Sequence, residues 1–149
     1  MAETDLIKLY SERILKLATD IPLTERLSEP DASVRRRSPL CGSTITVDVV
    51  VDGERVAAFG QDVKACALGQ AAAAVLAANV IGRSRQELVT ARDALQSMLS
   101  GGEVPDAPFD GFEVLIPARD FENRHASIML AIEATIEAID SASAASATG

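Results

Sequence analysis

The chain has 149 residues, with 14 Lys and Arg against 22 Asp and Glu for a formal charge of −8, and 48% of it is hydrophobic. That length and balance fit one acidic globular domain, and because aromatics make up only 3% its interior must be built of aliphatic side chains. The charge argues against nucleic-acid binding through a basic surface, and no stretch approaches the roughly 20 apolar residues of a membrane span. Glu3, Asp5 and Lys8 stand where a signal peptide needs an apolar run, so a cytoplasmic location is expected. Cys41 and Cys66 are too few for a disulfide framework and would stay as thiols there.

Leu6, Leu9, Tyr10, Ile14 and Leu17 recur at spacings of three and four, which predicts a helix over 5–19 with one buried stripe. From Asp20 to Pro39 three prolines and the run Arg35-Arg36-Arg37 predict mainly loop, with a short edge strand and with the arginines solvated. Ile45, Val47, Val49 and Val51 alternate with polar positions as in a half-buried strand. Asp52-Gly53 supplies a type I′ turn, and Arg55 to Phe59 should return antiparallel. After Gly60 the pattern becomes helical from Cys66 to Ile81, apolar around most of its circumference, so this helix should be buried against the sheet. Ser84-Arg85-Gln86-Glu87 has the form of a capping box and opens another helix, stopped at Gly101-Gly102. A loop from Pro105 and a short apolar stretch, Phe112 to Ile116, lead to a last amphipathic helix from about His125, marked by Ile128, Ile132, Ile136 and Ile139. The order implies an α+β domain over 1–140, a small antiparallel sheet packed against several helices, with a flexible small-residue tail over 141–149.

Cys41 precedes a strand, Cys66 opens a buried helix and His125, the only histidine, stands near the start of the last one. Element ends can converge at one edge of a compact domain, and the unpaired amides of a helix N-terminus stabilise a thiolate. Two thiolates and an imidazole suit zinc or iron, and three protein ligands leave a tetrahedral ion one open position. The same residue types also serve as a small buried hydrophobe and a structural imidazole, and spacing alone does not choose between these readings.

Four segments carry a resemblance: Leu9-Tyr10-Ser11, Glu29-Pro30-Asp31-Ala32, Ser38-Pro39-Leu40-Cys41-Gly42-Ser43 and Ala65-Cys66-Ala67-Leu68-Gly69-Gln70-Ala71. They resemble the NifU/IscU/SufU family of iron–sulfur cluster assembly scaffolds, over about Leu6 to Ala138. The resemblance implies a protein that binds iron, a labile Fe–S cluster or zinc, takes sulfur from a cysteine desulfurase and serves Fe–S recipient proteins. It places Cys41 and Cys66 on two of the family's three cysteines, as metal ligands and candidate persulfide acceptors. Ser43 falls on the family's aspartate. Arg124-His125-Ala126-Ser127-Ile128 resembles the family's His-Cys-Ser-Ile segment, which makes His125 a metal ligand and puts Ala126 where the third cysteine would be. A register anchored on Pro117-Ala118-Arg119 would instead put Glu122 there, at the cost of misaligning the helix. The same resemblance admits two other roles: a zinc-dependent sulfurtransferase of the SufU type, and a metal-free interaction or regulatory relative of the scaffold.

Overall fold

A computed structural model describes residues 12–38 and 42–148. Helix α1 (Glu12–Thr19) buries Ile14 and Ala18 and leaves Leu15 and Lys16 outside; the part of the expected helix over 5–11 lies outside the described residues. Strands β1 (Ala32–Arg37), β2 (Thr44–Asp52) and β3 (Arg55–Lys64) form an antiparallel sheet in that order. The short edge strand expected in this stretch is β1, and it takes in the arginine run expected as solvated loop, held by the register Val34↔Val47 and Arg36↔Ile45; strand alternation sends Arg36 to one face and Arg35 and Arg37 to the other.

The hairpin forms where it is expected, with two differences. Asp52 pairs with Arg55, leaving Gly53-Glu54 as a two-residue loop. Gly53 has φ +65° and Glu54 is not among the described non-glycine residues of positive φ, which is the II′ pattern rather than I′. The return strand also runs past Phe59 and Gly60 to Lys64, because Gln61 keeps the ladder through Val47↔Gln61 and Thr44↔Lys64. Ile45, Val47 and Val49 are buried as the alternation predicts, whereas Val51 is half-buried because a bulge shifts the register between Val50 and Val51.

Helix α2 (Ala67–Asn79) is buried on nearly every side, with Leu68, Ala71, Ala72, Ala73, Ala74 and Leu76 at most 1% exposed. It does not lie flat on the sheet as expected. It is surrounded by α1, by a 3₁₀ segment (Phe109–Asp120) and by the last helix α4 (His125–Thr148), and it touches the sheet mainly at β3. Short alanine side chains let three elements approach it at once. The sheet is covered instead by α4, whose Ile128, Ile132, Ile136 and Ile139 are buried and which packs along β1 and β2. Helix α3 (Arg85–Leu99) packs on α4 and begins with the expected capping box, Ser84 accepting from Glu87 N–H and Glu87 accepting from Ser84 N–H. The stretch Phe112 to Ile116 lies within the 3₁₀ segment, which buries Phe109, Phe112 and Leu115. Helix α4 continues as far as Thr148, through the small-residue segment expected to be a tail, with Ala142 still buried. Among the described residues, no helix is long and apolar enough to cross a membrane.

Candidate functional site

Strand β3 ends at Lys64 and the chain turns at Ala65-Cys66 into α2, so Cys66 occupies the N-cap, in extended conformation, and its carbonyl accepts the first helical bond from Gln70 N–H (2.9 Å). The amides of the first turn have no helical partner, and they face the half-buried thiol. Facing it from the first turn of α4 is Ser127, 1% exposed, whose Oγ lies 3.5 Å from Cys66 Sγ and 3.0 Å from Ser43 Oγ. Ser43 is itself buried, at the head of β2. The three side chains form a file, Ser43 to Ser127 to Cys66, where the sheet and two helix N-termini meet.

That convergence requires close approach of α2 and α4, and the sequence provides it at Gly69. A β-carbon there would stand 2.6 Å from Ser127 Oγ and 2.9 Å from Ala65 Cβ, so only glycine lets Ser127 reach the thiol. Burial pushes the Cys66 pKa up, but the Ser127 hydroxyl, the N–H groups of Gly69 and Leu68 and the Arg124 side chain together outweigh it, and the thiol sits below its ordinary value. Arg124 and Ser127 are three residues apart around the beginning of α4 and therefore share a face. Neither was singled out from sequence, although that spacing beside His125 is the signal that places them together.

The other expected site residues fall as follows. Cys41 lies outside the described residues; the β1–β2 connection that contains it closes with Ser38 N–H donating to Ser43 O at 2.8 Å. The Ser38 hydroxyl at that closure is buried with no hydrogen-bond partner among the described residues. His125 donates from Nε2 to Ala118 O at 2.9 Å, since a carbonyl can only accept, which leaves Nδ1 as the ring nitrogen not engaged in that bond. Two residues of α-helix turn through about 200°, so with Ser127 facing Cys66 the His125 ring faces away from it. It lines an open depression of about 520 Å³ together with Arg119, Asp120 and Glu122. Ala126, between them, is half-buried. Ser43 and Cys66 are thus brought together, through Ser127, while His125 and Glu122 share a separate depression. Among the described residues, no three His, Cys, Asp or Glu side chains gather as a metal-binding group.

No protein-family model and no curated protein matches the chain. Among solved structures it is similar to a nitrogen-fixing NifU-like protein (N-terminal) from Brucella abortus, 40% identical over 93% of this chain and 97% of that one, with a TM-score of 0.90. It is also similar to an iron–sulfur cluster assembly scaffold protein for the SUF system from Fervidobacterium islandicum, 19% identical over 89% of this chain and 98% of that one, with a TM-score of 0.78. A hypothetical protein, 21% identical over 94% of this chain and 99% of its own, has the same TM-score of 0.78. The latter two likenesses establish the fold alone.

Proposed function

The chain belongs to the NifU/IscU/SufU family, in its NifU N-terminal-like form, and from that premise we propose that it is an iron–sulfur cluster assembly scaffold that carries iron or a labile cluster as cargo at Cys41 and Cys66. The observation that carries this reading is Cys66 itself: a half-buried thiol at a helix N-cap, biased towards thiolate by Ser127, two backbone amides and Arg124. A thiolate is the form that ligates soft metals and the form that attacks sulfur donors, so the same bias suits both holding cargo and accepting sulfur. Cys41 is two residues from Ser43 and three from Ser38, whose buried hydroxyl has no hydrogen-bond partner among the described residues.

The donor set fits labile cargo better than a closed structural site. Two thiols fall short of the four ligands a [2Fe–2S] cluster normally takes, and Ala126 contributes none. His125 holds the tautomer a ligating imidazole adopts, with Nε2–H fixed on a backbone carbonyl and Nδ1 available. To act on the same cargo as Cys66 it must turn away from its present depression, which makes it a ligand gained on loading rather than one already in place. Ser43 stands where the family's aspartate stands, but its hydroxyl is occupied by Ser127 and supplies a hydrogen bond rather than a charge. In this reading a cysteine desulfurase supplies the sulfur and Fe–S proteins receive the product.

The test is anaerobic reconstitution with ferric iron and sulfide, followed by absorption and elemental analysis of wild type, Cys41→Ala and Cys66→Ala. Visible sulfur-to-iron charge-transfer bands in wild type that vanish in both variants are the expected result. Tightly held zinc in place of iron would favour the zinc-dependent sulfurtransferase reading, for which the primed Cys66 thiol is equally suited. Wild type that takes up neither metal would overturn both.

A further inference from the structure

The outer face of the sheet, opposite α4, is only partly covered. Its first cross-strand row is Ser33, Asp48 and Gly60, and the segment before β1 lies over it: Arg26 pairs with Asp48 (Nε to Oδ2, 2.6 Å), Leu27 N–H donates to Asp48 at 3.0 Å, and Gln61 N–H donates to Leu23 O at 3.0 Å. The next two rows, Arg35–Thr46–Asp62 and Arg37–Thr44–Lys64, have exposed outer positions. Neighbouring strands are about 4.8 Å apart, so Arg37 and Lys64 stand roughly 10 Å from each other across Thr44. Among the described residues, Arg35, Arg37 and Lys64 make no ion pair, although most of the chain's other arginines do. These three cations around one carboxylate, Asp62, make a positive patch on a chain of charge −8. The patch also borders the site: Arg37 ends the strand before Cys41, and Lys64 is two residues before Cys66.

From this placement we infer that the two open rows are a docking surface for an acidic segment of a partner protein. Charge complementarity names the occupant. A protein segment carrying two or three carboxylates at side-chain spacing matches Arg35, Arg37 and Lys64, while a long polyanion such as nucleic acid, or an extended anionic membrane, would also meet the acidic remainder of the chain. The surface holds no aromatic side chain on which a base could stack. The inference rests on the scaffold reading in one respect: the partner that docks there is one that exchanges sulfur or cluster at Cys66, because a body covering these rows lies beside that thiol.

The test uses the full chain and a short fluorescent peptide alternating Glu and Ser, with a Lys-Ser peptide, single-stranded RNA and phosphatidylglycerol vesicles as competitors for the assignment. The acidic peptide should bind, weaken steeply as salt is raised, and lose at least about tenfold in affinity in Arg35→Glu/Arg37→Glu/Lys64→Glu. Arg35→Ala/Arg37→Ala/Lys64→Ala, which places no new charge on the exposed face, should lose less. Binding must persist in Cys41→Ala/Cys66→Ala, so that its outcome is independent of metal uptake. Reconstitution of the charge-reversed protein then reads the scaffold assignment separately. No binding of the acidic peptide, binding indifferent to charge reversal, or tighter binding of RNA or vesicles would each overturn the inference.

Discussion

Replacing Ser127 by alanine removes the hydroxyl that stands between Ser43 and Cys66, and the structure sets the size of the effect. Ser127 and Ser43 are 1% and 3% exposed, and among the described residues the Ser43 hydroxyl has no partner besides the Ser127 hydroxyl 3.0 Å away. In Ser127→Ala the Ser43 hydroxyl stays buried without its partner, which costs about 1–3 kcal/mol. In Ser43→Ala, Ser127 still has Cys66 Sγ at 3.5 Å, so the loss should be smaller, about 0.5–1.5 kcal/mol. The double variant removes both polar groups and should be less destabilised than the sum of the singles by about 1 kcal/mol. Urea unfolding of the four proteins at neutral pH measures this coupling directly. Strictly additive single effects, or a Ser127→Ala variant as stable as wild type, would refute the pairing and with it the route by which α4 acts on Cys66.

In a Cys41→Ala background Cys66 is the sole thiol, and its alkylation rate should reach half its maximum below the ordinary thiol value of about 8.5, with Ser127→Ala moving the midpoint upward; iodoacetamide kinetics against pH measure it. Asp48 is fully buried, and although burial raises its pKa, the bonds from Arg26, Ser33 and Leu27 N–H and the Arg26 charge hold it below the usual carboxylate value. Its native pKa is depressed, so its contribution is complete above the unfolded value of about 3.9 and is lost as pH falls through the native one; Asp48→Asn should cost about 2–4 kcal/mol at pH 7 in denaturant unfolding, with the gap to wild type closing in acid. Ser84→Ala breaks the capping box of α3 and should cost about 1 kcal/mol, seen as a melting temperature a few degrees lower.

Local chemistry made much of the fold legible. Alternating valines marked β2, Asp52-Gly53 marked the turn and Ser84 with Glu87 marked the start of α3, because each of these depends on neighbours in sequence. What sequence left out depended on tertiary contact. A short edge strand was expected near the arginine run, but the run itself belongs to it because Val34 and its neighbours pair with β2, a partner no local propensity names. The alanine-rich helix is buried either way, and nothing in its composition tells a sheet from a ring of helices. At the site, Cys66 at a helix start and Ser43 at a strand head were visible as residues of interest. Ser127 was not, since its role exists only once Gly69 lets α4 close on α2. His125 stood out as the only histidine, yet two residues of helix separate its direction from that of Ser127.

The central claim, that Cys41 and Cys66 together hold the cargo, is tested most directly by native mass spectrometry of anaerobically prepared wild type, Cys41→Ala and Cys66→Ala after loading with iron and sulfide. The account predicts a metal-containing adduct on the wild-type chain that is absent from each variant, with all three chains folded by circular dichroism. An adduct of unchanged mass and occupancy on both variants would contradict it and move the binding site away from the two thiols.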